Sequence, residues 1–244
     1  MPICCALAAS FLLAVTPAHA GPPYLTDDPV PTEQGHWEVY AFATGEGSAT
    51  EHVDVDTDMG FDVNYGAAPN VQLTATIPLR FSHEALSGWR GGTGDVELGV
   101  KYRFSENERS GWSAAVFPRA ILPTTEMENH ERTRVLLPIW VGKEFRGGTS
   151  VFGGGGYEIN PGAGNRDFWQ GAVAVTHDVT NRFSIGMEVA RQGPDAADAT
   201  SETSLGAGAI ARLSSRYSLL VSGGPTWAEH RTGYHFYGAL GLNL

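Results

Sequence analysis

Both cysteines of this 244-residue chain, Cys4 and Cys5, fall near its N-terminus. From residue 21 onward there is no thiol, which excludes disulfide scaffolds, cysteine-ligated metal sites and cysteine nucleophiles together. Basic residues are scarce. Against 27 Asp+Glu stand only 16 Lys+Arg, a formal charge of −11, so the chain lacks the basic footprint that nucleic-acid binding needs. Long hydrophobic runs are missing as well: past the N-terminus no apolar stretch approaches the ~20 residues of a spanning helix. That excludes a helical membrane protein but not a barrel, whose strands are short and apolar on one side only. Helical periodicity is broken throughout by 31 Gly and 14 Pro.

The opening segment, MPICCALAASFLLAVTPAHA, joins an apolar run to the small-residue ending Ala18-His19-Ala20. It reads as a secretory signal over residues 1–20, cleaved before Gly21, although Lys and Arg are absent near Met1. The expected context is export in a Gram-negative bacterium. Residues 21–35, GPPYLTDDPVPTEQG, carry four prolines and are expected to be extended and non-helical. Two readings stand for them, a loose periplasmic tail or a small plug folded into a barrel.

Residues 36–244 alternate with period two, as strands require. In DVELGVKYRF, Asp95, Glu97, Lys101 and Arg103 share one face, while Val96, Leu98, Val100, Tyr102 and Phe104 share the other. About twelve such segments are predicted, each near the length of a tilted transmembrane strand. They span 36–44, 53–66, 71–82, 93–104, 111–122, 133–145, 149–159, 168–178, 182–192, 203–213, 216–226 and 233–243. Short connections (AAPN, SENERS, RGG, VTN, SSR) alternate with longer ones (GEGSATEH, SHEALSGWRG, PTTEMENHER, NPGAGNRD, GPDAADATSE, AEHRTG). Outer-membrane barrels alternate short periplasmic turns with longer outside loops in this way.

The outward aromatics sort into two belts. Trp37, Tyr65, Phe104, Trp112, Phe145, Phe183 and Tyr217 lie at the expected periplasmic edge, and Phe81, Tyr157, Trp169, Trp227 and Tyr234 at the outer edge. Trp and Tyr favour lipid–water interfaces because each has an apolar body and a polar tip. A soluble β-sandwich or lipocalin-like barrel has no reason to sort them so. The expected fold is therefore all-β: a transmembrane, antiparallel, up-and-down barrel of about twelve strands in the outer membrane. Its expected surroundings are outer-membrane lipid and lipopolysaccharide, with the barrel-assembly machinery acting during biogenesis.

Inward parity collects Glu38, Asp54, Asp62, Asn64, Gln72, Glu144, Glu158 and His235. It also collects the pore-lining candidates Asp56, Asp58, Arg80, Asp95, Glu97, Lys101, Arg103, Arg119, Arg134, Glu188 and Arg212. Alignment through the hairpins sets Arg80 opposite Asp56 or Asp58 and near Asp95, with Glu97 near Arg119. The charges then either stiffen the wall as cross-strand pairs or form a constriction that selects a solute. The solute class is a small molecule, aromatic or hydrophobic among the candidates, and its identity is unassigned. A non-conducting barrel whose loops 123–132 and 193–202 meet surface partners is the alternative.

Enzyme chemistry has thinner support. His177 has outward parity near the inner edge, but no G-x-S-x-G elbow exists for a lipid hydrolase. GGGG at 153–156 lacks the Lys-Ser/Thr of a phosphate loop and fits close strand approach instead. His52-x-Asp54 and His130-Glu131 have no third partner at metal spacing, and Asp27-Asp28 alone is weak. No metal or cofactor is expected.

Five segments resemble a family of bacterial outer-membrane proteins grouped as transporters of the MetA pathway of phenol degradation. They are GPPYLTDDPVPTEQGHWEVY, VNYGAAPNVQLTATIPL, GTGDVELGVKYRF, FPRAILPTT and GGGGYEINPGAGNRDFWQ, in family order. The resemblance implies an outer-membrane barrel associated with aromatic or hydrophobic compounds. The chain departs from common barrels at Leu244, where an aromatic assembly signal usually stands.

Overall fold

The computed structural model describes residues 23–48, 55–84, 88–125, 127, 132–229 and 231–244. The expected signal, and with it His52, Asp54, His130 and Glu131, lies outside the described residues. The strands are β1 (Trp37–Ser48), β2 (Val55–Ala68), β3 (Val71–Glu84), β4 (Gly88–Thr93), β5 (Val96–Asn107), β6 (Trp112–Val116) and β7 (Arg119–Leu122). They continue with β8 (Arg134–Phe145), β9 (Thr149–Ile159), β10 (Phe168–Thr180), β11 (Phe183–Gln192), β12 (Glu202–Arg212), β13 (Tyr217–Ala228) and β14 (Arg231–Asn243). Each is antiparallel to its neighbours, and β1 pairs with both β2 and β14, so the sheet closes on itself. Closure removes the free edges that an open sheet would expose.

Two of the predicted strands are interrupted, so the fourteen β segments fill twelve places around the barrel. The first gap falls at Gly94-Asp95, between β4 and β5. There Asp95 turns from the strand ladder and accepts the amides of Thr124 (3.1 Å) and Thr125 (3.0 Å), fastening the outer loop after β7. The second falls at Phe117-Pro118, between β6 and β7. Pro118 has no N–H to give to a ladder, and its carbonyl accepts Val100 N at 3.1 Å instead. A second correction concerns the outer rim. SHEALSGWRG and AEHRTG were expected as long loops, but β3 runs to Glu84, β4 starts at Gly88, and only 229–230 separate β13 from β14. Cross-strand contacts such as His83 on Trp89, with centroids 5.0 Å apart, carry the first hairpin farther than composition suggests.

The two faces differ in accessibility in the sense that the alternation predicts. Phe61, Ile139 and Val173 are 56%, 52% and 57% exposed, whereas Lys101, Glu158 and Glu188 are 4%, 4% and 2% exposed. A closed barrel with its charges inside and a continuous apolar band outside requires hydrocarbon around it, since no water-soluble monomer tolerates so large an apolar surface. Rings meet at both ends of the band. Trp37 stacks on Tyr65 at 4.4 Å near the short turns, and Tyr157 leans on Trp169 at 5.1 Å near the long loops.

The glycine run sits in β9 where neighbouring strands approach closely. A Cβ on Gly154 would lie 2.9 Å from the Trp140 ring and closer still to the backbone of Ile139. Gly154→Leu is therefore expected to destabilise the barrel by about 1–3 kcal/mol through overpacking, read as a lowered midpoint in a urea titration in lipid vesicles.

Candidate functional site: the barrel interior

Residues 23–35 supply the first part of the site, because they run across the interior of the barrel. Proline fixes this segment in an extended form, and extension leaves its backbone amides free to bond elsewhere. Pro23 accepts a hydrogen bond from the Ser222 hydroxyl on β13. The Glu188 carboxylate on β11 accepts Leu25 N (3.2 Å), Thr26 N (2.5 Å) and Thr26 Oγ1 (2.5 Å). Asp27 then meets Lys101 Nζ of β5 at 2.9 Å and Arg119 of β7 at 3.5 Å. Farther on, Thr32 donates its amide and hydroxyl to Gln72 of β3 at 2.7 and 3.1 Å, and Gly35 N bonds Gly66 O of β2 at 2.8 Å. In the ring order β11 and β5 stand on nearly opposite sides. A segment that bonds to both walls through inward side chains has to pass through the lumen.

The wall is arranged to receive it. Phe117, 3% exposed, points inward between two cations, with Lys101 Nζ 5.0 Å and the Arg119 guanidinium 4.3 Å from its ring centroid. Gly99 leaves room for that ring, since a Cβ there would fall 2.7 Å from it. Below Thr32, Gln72 passes the bond on to Asn64 at 2.7 Å, and Asn64 to Asp62 at 3.1 Å. This polar ladder satisfies side chains that would otherwise be stranded.

Other sequence candidates fall into separate clusters. Arg80 holds Asp58 in a bidentate pair at 3.0 and 3.1 Å, its directly facing residue across β2 and β3. Arg119 meets Glu97 at 3.6 Å. Arg134 bridges Asp95 (3.2 Å) and Glu158 (3.0 Å). Arg103 lies at the rim of the short-turn end, tied to Asn70 at 2.8 Å and Glu106 at 2.7 Å. Arg212 sits at the same end beside Asp178, 3.5 Å away, and Ser184, 2.9 Å away. Asp56 and Glu46, a residue not among the sequence candidates, face each other across β1 and β2. His177 accepts or donates a 2.9 Å bond with Thr149 on the outer surface.

Parity reading overlooked how apolar parts of the interior are. Tyr40, Ile210, Leu220 and Ala239 form a buried cluster on the inward side, flanked by Phe42 and Tyr237. Leu136, Trp140 and Phe152 are buried at inward positions of β8 and β9. The signal was available for most of them: Tyr40 shares parity with Glu38, Leu136 and Trp140 with Arg134, Phe152 with Glu158, Ile210 with Arg212 and Ala239 with His235, whereas β13, which carries Leu220, has no charged residue. Two cavities flank the crossing segment. The outer one, about 270 Å³, is lined by Tyr24 and Leu25 together with Glu46, Asp56, Arg80 and Glu202. The inner one, about 80 Å³, is lined by Asp28, Pro29 and Val30 with Glu144, Asp178 and Arg212.

No known family model and no curated protein matches the chain. Solved structures do match in fold. The COG4313 outer membrane channel from Pseudomonas putida F1 superposes with a TM-score of 0.72 at 12% identity, over 89% of this chain and 98% of that one. The NanC porin gives 0.58 at 10% identity, over 85% of this chain and 100% of the porin. The CymD monoaromatic hydrocarbon channel gives 0.51 at 8% identity, over 86% and 88%. The chain thus has the closed twelve-strand antiparallel barrel fold that outer-membrane channels and porins use.

Proposed function

We propose that this chain is a passive outer-membrane channel for small solutes with an aromatic or apolar body, and that residues 23–35 act as its internal plug. One observation carries the reading: the segment spans the lumen through hydrogen bonds and one ion-pair cluster to inward side chains, outside the strand ladder that builds the wall. Such contacts are side-chain bonds exchangeable for water, so the segment can leave while the barrel stays closed. Inward Phe117, Trp140 and Phe152 are buried with the segment in place and would line the lumen beside charged rows once it leaves, a lining that suits a solute with both characters. The structural likeness to a channel described as one for monoaromatic hydrocarbons supports the same solute class. The MetA resemblance agrees with it, and so does placement in the outer membrane among lipid and lipopolysaccharide.

Refolded mature protein in planar bilayers is expected to give small, interrupted current steps, with uptake of small aromatics in a liposome swelling assay. A complete lack of both current and flux would remove the channel and leave the non-conducting barrel, a reading that the many segment-to-wall bonds favour.

A further inference from the structure

The outer cavity is unevenly charged. Glu46, Asp56 and Glu202 line it, and none of the three has a hydrogen bond or ion pair among the described residues. Arg80 is the one Lys or Arg side chain lining it, and that guanidinium is already engaged by Asp58 at 3.0 Å. Glu46 and Asp56 are directly facing partners on β1 and β2, a like-charge pair that weakens strand pairing. A structural role would have selected against that pair, whereas a cationic occupant turns it into an attraction.

A second observation points to the same occupant. Ser204 and Thr226 face each other across β12 and β13, line the cavity, and are 5% and 6% exposed. Neither hydroxyl has a hydrogen-bond partner among the described residues. Their oxygens open onto the cavity instead of being sealed in the wall, and there they supply acceptors for N–H donors.

The size and spread of the groups narrow the class. Among the described residues no three carboxylate or imidazole groups converge closely enough to hold a metal ion. The volume, about 270 Å³, lies just under the ~300–1,000 Å³ of clefts for drug-sized ligands. Tyr24 and Tyr237 give the cavity phenol rings, which attract cations and pack against an apolar body.

We propose that the outer cavity is a binding subsite for a small organic ammonium ion, whose N–H groups are taken by Glu46, Asp56 and Glu202 with Ser204 and Thr226 as neutral acceptors. The subsite deepens the channel reading above by giving the solute a positive charge, and it stands on the segment's position between the two cavities.

Isothermal titration of the detergent-refolded mature chain tests it, with benzylammonium, benzoate and calcium ion as separate probes. Benzylammonium is expected to bind saturably, and the double variant Glu46→Gln/Asp56→Asn to weaken it by about tenfold or more, as loss of close charge pairs does. Ser204→Ala is expected to weaken it less, and benzoate to show no saturable binding. Heat-modifiable mobility on gels verifies that each variant has folded. Equal binding of benzoate, unchanged affinity in the double variant, binding of calcium but not benzylammonium, or no saturable binding at all each overturns the subsite. The two readings separate cleanly, because a barrel that binds benzylammonium and passes no current keeps the subsite and loses the channel. A barrel that conducts without binding does the reverse.

Discussion

Deleting residues 23–33 is expected to raise single-channel conductance severalfold while leaving the barrel intact. The wall keeps all its strand pairings, including β1 with β14, because none of them runs through this segment. What disappears is the obstruction between the outer and inner cavities, together with the bonds to Glu188, Lys101, Arg119 and Gln72. Glu188→Ala should act in the same direction with a smaller effect. It removes three acceptor contacts at one anchor and spares the Asp27 anchor on the other wall. It should also speed deuterium exchange at the amides of Leu25 and Thr26, which lose their protection. Equal conductance in the deleted and intact chains would mean that the segment does not close the lumen.

The second large effect concerns stability in lipid. An arginine at Val100 or Val173, both outward and 42% and 57% exposed, is expected to cost about 2–4 kcal/mol near the bilayer midplane. Arg80→Ala removes a partner of Asp58 in a wetted lumen. There water screens the carboxylate that is left, so its cost should be well below that of the lipid-facing change. Its effect should appear in ion selectivity, with the reversal potential in a salt gradient moving toward cations as a lumen positive charge is lost. Reversible unfolding in vesicles checks the first part. Equal destabilisation by Val100→Arg and Arg80→Ala would contradict the assignment of faces.

Much of this protein was readable as a string. Period-two alternation is a local property, set by the pleat of a single strand, so the outward face of DVELGVKYRF and the outward, strand-end positions of Trp37, Tyr65 and Trp169 needed no tertiary knowledge. The hairpin narrowed the partner of Arg80 to Asp56 or Asp58, and the register of the folded sheet selects Asp58. The interruptions at Gly94-Asp95 and Phe117-Pro118 were harder. They depend on what the loop after β7 donates to Asp95, a contact made across the outer rim rather than along a strand.

Strand number, barrel closure and the separation of faces were determined by sequence alone, because each follows from side-chain alternation and turn spacing over a few dozen residues. The course of residues 23–35 through the lumen was decided only by tertiary structure. Thr26 and Glu188 are separated by 162 residues, and no local pattern links them. Their meeting depends on a ring of strands bringing opposite walls within reach of one extended segment. The same reason hid the outer cavity: Glu46, Asp56, Glu202, Ser204 and Thr226 come from four strands, and become one surface only when the sheet closes.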